Sequence, residues 1–255
     1  MSEVIARSPV RPLEPTVVAG WQVSGRRSTA ALTLADHTPL AKAGVRAAAD
    51  GTMARALGVP FGLAARDDAG ALVIGSGPGE WLLLAPPGEQ AALCARLAAL
   101  AAGQAPGAAE GAGAGDQPGA GELATILDLT HGRAVMRLTG AESAATLAKV
   151  CGIDLSDRVT PDGAAFRSSV AKLVTDVVRD DQPAAAAEPG ATVQATTGQP
   201  ASGPSRPVAG PGPVGRVRSY LLHCERSYGQ YLFDAVLDAG AEFGVDVDGF
   251  RAPGI

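Results

Sequence analysis

The chain has 255 residues, a formal net charge of −5, three cysteines and only 4% aromatic residues. Its three lysines, Lys42, Lys149 and Lys172, form no basic stripe, which argues against nucleic-acid binding. Cys94, Cys151 and Cys224 lie far apart with no CxxC pair, which argues against a zinc knuckle or a disulfide framework. Neither an apolar signal core nor a run of about 18 apolar residues occurs, so a cytoplasmic protein with no membrane contact is the expectation.

Residues 1–25 read as a flexible N-terminal segment and 26–100 as a first α/β unit. That unit opens with an expected helix over 37–57 and an expected strand over 71–74. Gly75-Ser76-Gly77-Pro78-Gly79 invites a phosphate-loop reading, but such a loop must open a helix whose N–H groups and dipole face the anion. Here Glu80-Trp81-Leu82-Leu83-Leu84 follows, a strand, so the glycines read as a hairpin turn. Leu93, Leu97 and Leu100 then form the stripe of a helix. Residues 101–121 carry seven glycines and no large apolar side chain, and 182–216 carry seven prolines, no aromatic and three valines. Neither stretch buries enough apolar surface to offset the entropy of ordering. The first reads as a linker and the second as a disordered insert.

A second α/β unit is expected over 122–181 and 217–250. Ile126, Leu127 and Leu129 lead into a polar turn at Thr130-His131-Gly132. In the return run Ala134, Met136 and Leu138 alternate with Arg133, Val135 and Arg137, the pattern of a β-hairpin. Thr139 and Glu142 have capping-box spacing before a helix with Ala144, Leu147, Ala148 and Cys151 on one face, which Gly152 could close. A strand is expected over 164–178. Trp81-Leu82-Leu83 and Tyr220-Leu221-Leu222 echo one another, and the step from Trp81 to Leu93 equals that from Tyr220 to Leu232. Leu232, Ala235, Val236 and Ala239 make the second helix stripe, with Ser227 and Gln230 as its capping box. Two copies of a strand–helix–strand–strand–helix unit follow, which with antiparallel strands is an α+β class.

Catalytic chemistry is harder to find. His131 sits on a turn and reads as a polar turn residue. His223 and Cys224 are neighbours in a strand, so they point to opposite faces and cannot act as a nucleophile pair. Asp128 sits oddly in an apolar strand and needs a partner if it is buried. Asp176, Asp180 and Asp181 fall at a strand end. No G-x-S-x-G, Walker A or paired acid–base spacing appears. Catalytic, cofactor-binding and metal residues are therefore all assigned as none.

D-L-T-H-G-R followed by a strand, T-G and a helix ending in C-G-I-D-L resembles the gamma subunit of heterotetrameric sarcosine oxidase. That family shares its fold with the glycine-cleavage aminomethyltransferase and related folate-binding proteins. The resemblance extends more weakly over 39–100 and 164–247 and leaves out the two low-complexity stretches. It implies two fused ferredoxin-like βαββα units and a non-catalytic scaffold packed on an alpha subunit, with beta and delta subunits as further partners. FAD, FMN, NAD, zinc and tetrahydrofolate would then reside in those partners. The implied complex oxidises sarcosine to glycine, hydrogen peroxide, and formaldehyde or 5,10-methylenetetrahydrofolate. His131, Arg133, Tyr220 and Tyr228 are the candidates for the partner interface. The alternative is a stand-alone folate-binding regulator of the same superfamily. The K-G-C-x-x-G-Q-E signature of such regulators does not occur around Cys94, Cys151 or Cys224.

Overall fold

The computed structural model describes residues 4–103, 123–184 and 215–254. The central parts of the expected linker at 101–121 and insert at 182–216 lie outside these. The strands are β1 (Ala6–Arg7), β2 (Pro15–Val18), β3 (Trp21–Ser24), β4 (Thr33–Asp36), β5 (Ala41–Arg46), β6 (Ala64–Arg66), β7 (Leu72–Gly77), β8 (Glu80–Ala85), β9 (Thr125–Asp128), β10 (Arg133–Thr139), β11 (Ala165–Val170), β12 (Leu173–Arg179), β13 (Gln182–Pro183), β14 (Arg216–Val217), β15 (Ser219–Glu225) and β16 (Asp246–Asp248). The helices are α1 (Thr52–Leu57), α2 (Gln90–Ala101), α3 (Ser143–Ala148) and α4 (Gly229–Gly240).

Two sheets carry the fold. One runs β6-β7-β8-β5-β9 and the other β11-β12-β15-β10-β4-β16. Strand alternation sets the layers. In β5 and β8, Ala41, Ala43, Val45, Trp81 and Leu83 face α1 and α2 and pack on Met53, Leu93 and Leu97. In β10 and β15, Ala134, Met136, Leu138, Tyr220, Leu222 and Cys224 face α3 and α4 and pack on Leu147, Leu232 and Val236. The opposite faces meet each other: Leu72, Ile74, Leu82 and Leu84 from one sheet pack with Val135, Val178 and Leu221 from the other. The order is helix, sheet, sheet, helix, and the class is α+β with antiparallel sheets.

The repeat is present with one strand of each copy exchanged. β5, α1, β6, β7, β8 and α2 correspond in order to β10, α3, β11, β12, β15 and α4. The strand preceding each copy joins the other copy's sheet. β4 pairs with β10, placing Met136 opposite Asp36, and β9 pairs with β5, placing Ala43 opposite Asp128. The expected hairpin of 126–138 is therefore not one. β10 is a central strand whose two edges are already taken by β15 and β4, so β9 must pair elsewhere.

Other expectations are corrected as well. The helix expected over 37–57 is β5 followed by the short α1. Its alanines alternate at period two, and Gly44 admits the close approach of Leu129, whose Cδ1 would lie 2.9 Å from an added Cβ. The N-terminal segment is ordered in its described part: β1, β2 and β3 form a small sheet, and Trp21 and Val23 bury their side chains in the inter-sheet core. Val10 is buried against the α3 and α4 layer. The single strand expected over 164–178 is the β11–β12 hairpin.

Neither expected capping box forms. Helix α3 begins after Glu142, and the Thr139 hydroxyl instead meets that of Ser219 at 3.1 Å. Helix α4 begins after Tyr228, and the Gln230 side chain serves Asp234 and the backbone of Arg11. Gly152 lies beyond α3 without a left-handed backbone. The glycine turn before β8 is a hairpin turn, as its sequence context demands. Gly79 takes φ 71° there, and a Cβ would strike the Ala47 carbonyl at 2.4 Å.

Candidate functional site

Two features stand out in the space between the sheets: a polar crossing where the chain changes sheets, and an open cavity beside it. The crossing is built twice from the same D-x-T sequence. The Thr38 amide donates to Asp36 Oδ1 at 3.0 Å, and the Thr130 amide to Asp128 Oδ1 at 2.8 Å. The Val135 amide then donates to the Thr38 hydroxyl, and the Lys42 amide to the Thr130 hydroxyl. Asp128 is exposed, so its odd setting is that of a turn-capping carboxylate with no buried charge to balance.

Lys42 fills the crossing. Its side chain is fully buried, and Nζ donates to the carbonyls of Thr38 and Leu40 at 2.7 Å each and of Thr130 at 3.0 Å. Those three acceptors match the three donors of an ammonium. Burial lowers its pKa to about 7, with the Asp36 carboxylate pulling the other way. His37 is buried beside it, bonded through Nδ1 to the Gly254 carbonyl and edge-on to Phe250, and burial with the nearby Arg137 lowers its pKa to about 3.

The cavity has a volume of about 570 Å³ and opens between β5 and β9 on one side and β12 and β15 on the other. Alternation along β15 sends Cys224 to the helix layer and His223 to this cavity, the opposite-face arrangement expected from their adjacency. His223 Nδ1 lies 3.1 Å from Asp176 Oδ2, and Arg167 Nε donates to Asp176 Oδ1 at 2.7 Å. Burial alone would raise the Asp176 pKa, but the bonds from His223 and Arg167 bring it below the usual carboxylate value. Burial lowers the His223 pKa, opposed by Asp176, so the ring is neutral at pH 7. Two further ion pairs lie at the cavity, Arg133–Glu225 at 2.6 Å and Arg46–Glu80 at 3.0 Å. Sequence reading placed His223 and Asp176 separately. They are 47 residues apart and meet only because β12 and β15 pair with these two residues in register.

The four interface candidates separate. His131 is exposed and stacks on Trp21 with ring centroids 4.9 Å apart. Arg133 sits at the cavity mouth, and Tyr228 is half exposed on the turn into α4. Tyr220 is fully buried in the α3 and α4 core, so its side chain offers a partner no surface. Among the described residues no three of His, Cys, Asp and Glu cluster as a metal site would need, and no helix is long and apolar enough to cross a membrane.

Neither a protein-family model nor a curated sequence matches the chain. Solved structures do. A chain of the heterotetrameric sarcosine oxidase from Corynebacterium sp. U-96, in complex with pyrrole 2-carboxylate, superposes with a TM-score of 0.55 at 22% identity, covering 86% of this chain and 89% of that one. The glycine cleavage system aminomethyltransferase T from Bartonella henselae superposes with a TM-score of 0.54 at 13% identity, covering 96% of this chain. This chain spans only 61% of that enzyme's length. The fold is thus the aminomethyltransferase-like one. It is shared in particular with a chain of heterotetrameric sarcosine oxidase.

Proposed function

We propose that this chain is the gamma subunit of a heterotetrameric sarcosine oxidase, a scaffold that holds no catalytic residue. The observation that carries the reading is reciprocal coverage: the fold accounts for 86% of this chain and 89% of a chain from such an oxidase, against 61% of the aminomethyltransferase. The segment D-L-T-H-G-R supports it from the sequence side, since it builds one of the two crossings on which the fold depends. In this reading alpha, beta and delta subunits are the partners and hold FAD, FMN, NAD, zinc and tetrahydrofolate. The complex, cytoplasmic in this reading, oxidises sarcosine to glycine, hydrogen peroxide, and formaldehyde or 5,10-methylenetetrahydrofolate. His131 and Tyr228, exposed on neighbouring turns, and Arg133 are the residues offered to the alpha subunit.

Co-expression tests it. Produced with the alpha, beta and delta subunits of such an oxidase, the chain should co-purify in equal amounts, and sarcosine-dependent peroxide formation should need it only for assembly. His131→Ala should reduce the yield of complex while leaving turnover per assembled complex unchanged. Failure to co-purify overturns the reading, as does loss of turnover in a fully assembled His131→Ala complex. Tight tetrahydrofolate binding by the chain alone would favour the stand-alone folate-binding regulator instead.

A further inference from the structure

We propose that the N-terminal strap of residues 7–11 and the turn into α4 that it crosses form a cationic docking surface for an acidic segment of the alpha subunit. The proposal rests on the reading of this chain as an oxidase subunit, and it names the chemistry of the contact around His131 and Tyr228.

The strap and the turn are fastened to each other. Arg226 Nη2 donates to the Arg7 carbonyl, and the Arg11 amide donates to Gln230 Oε1 at 2.6 Å. Gly229 approaches Pro9 so closely that an added Cβ would lie 2.6 Å from its Cγ. Val10 anchors the strap in the core, while Arg7 and Arg11 stay exposed. The Arg226 amide donates to the Gly132 carbonyl at 3.2 Å, which sets the turn against His131. His131 in turn stacks on Trp21, and Trp21 lies opposite Ala6, next to Arg7, in the β1–β3 pairing. Segments more than 200 residues apart in sequence thus share one surface.

That surface carries charge without its counterpart. Most arginines of the chain are ion-paired, Arg137, Arg167 and Arg179 among them. Arg7, Arg11 and Arg226 have no acidic partner among the described residues, and neither 4–13 nor 226–231 contains an Asp or Glu. Of the acids that border them, Glu225 is paired with Arg133 at 2.6 Å, Asp128 accepts the Thr130 amide, and Asp234 accepts from Gln230. A carbonyl fixes the Arg226 guanidinium without neutralising it, so little freedom is lost when a carboxylate arrives. The sign of the patch calls for an anion. A nucleic acid needs a cationic track along its backbone, whereas here three arginines stand on a short span of a chain with net charge −5. Tyr228, half exposed beside Arg226, and Ile5 and Leu13, exposed near the strap, supply the apolar and aromatic contact of a protein interface.

The test follows association of the full chain with the alpha, beta and delta subunits of such an oxidase at rising ionic strength. The association rate should fall at least about tenfold between roughly 50 and 500 mM salt, because screening shortens the reach of exposed charge. Arg7→Gln/Arg11→Gln, which leaves the backbone bonds of the strap in place, should associate at least about fivefold more slowly at low salt and lose most of the salt dependence. Arg55→Gln/Arg158→Gln, at exposed arginines elsewhere that also lack acidic partners, should match the unaltered chain. The inference is overturned, with the gamma-subunit reading left standing, if association ignores salt, if the strap variant associates as fast as the parent, or if the control slows it equally. Single-stranded DNA held by the free chain through these arginines, with subunit association unaffected by the strap variant, would assign the patch to a nucleic acid and overturn it too. No association at any salt overturns both readings. Should the double variant fail to fold, Arg11→Gln alone, whose side chain makes no hydrogen bond, decides by the same comparison.

Discussion

The hydroxyls of Thr38 and Thr130 play the same part at two points related by the internal repeat: each accepts the backbone amide of the neighbouring strand in the sheet being left, that of Val135 in β10 beside β4 and that of Lys42 in β5 beside β9. A side chain thus takes the place of a ladder bond where a strand leaves one sheet for the other. The two crossings pin the sheets together at their centre, and helices cover only the outer faces.

Leu147 is 1% exposed and lies in the cluster that contains Met136 and Leu138. Truncation to alanine should cost about 2–5 kcal/mol, the range for a core cavity, read as a fall in the denaturation midpoint with an unchanged slope. A change under about 0.5 kcal/mol, the size of an ordinary surface substitution, would mean that α3 does not pack as described.

The buried ion pair of Arg137 and Asp180 offers a second measurement. Arg137 Nη2 meets Asp180 Oδ2 at 2.7 Å, and Arg66 reaches the same carboxylate from a more exposed position at 3.2 Å. Asp180→Ala strands a buried guanidinium and should cost about 3–5 kcal/mol. Arg66→Ala removes only the outer partner and should cost at most about 1 kcal/mol. Equal losses from the two variants would contradict the burial difference between the arginines.

Acid should weaken the fold through His37. Unfolded, the ring takes up a proton below its ordinary value of 6.5; folded, it resists until about pH 3. Between those values the unfolded state binds more protons, so stability is fully present above pH 6.5 and falls as pH drops. His223 shifts in the same direction and adds to the effect. In His37→Asn the slope of stability against pH below 6.5 should be shallower than in the parent. An identical slope would show that His37 does not hold this shift.

The chain on either side of residues 185–214 is held by the β13–β14 ladder, with Gln182 opposite Val217 and the Ala184 amide on the Gly215 carbonyl at 2.8 Å. Replacing 185–212 by a short Gly/Ser link should therefore close without moving either strand. The stability change should be small, since halving a loop alters its closure entropy by only about 0.6 kcal/mol. Loss of cooperative unfolding in the shortened chain would refute this.

Much of the layer structure was legible from periodicity. The alternation of 133–138 assigns each residue of β10 to its face, and the echo of Trp81 with Tyr220 locates corresponding strands and helices. The exchange of strands was not legible, because β9 has the same local pattern whether it pairs with β10 or with β5. Strand β5 was hidden by its small residues: alanines at period two under a helix look like a helix themselves. The spacing of Thr139 and Glu142 met the rule for a cap, but Gly140, at φ 143° and packed against the Ala31 carbonyl, delays the helix by several residues. The His223–Asp176 pair was out of reach, since strand register is set by the whole sheet and leaves no trace in the spacing of its two members.

The exchanged strands also bear on how such a chain could be divided. Cut between α2 and β9, the N-terminal piece would carry β4 with no sheet to enter and a bare edge on β5; the C-terminal piece would have the mirror-image fault along β10. Neither fragment could close its own hydrogen-bonding ladder. Mixed together, the two could do so only by clasping one another, so reconstitution from halves should be mutual templating with a concentration-dependent rate. A single ancestral copy of the repeat would have faced the same geometry, and its simplest complete form is a pair of identical chains trading their first strands.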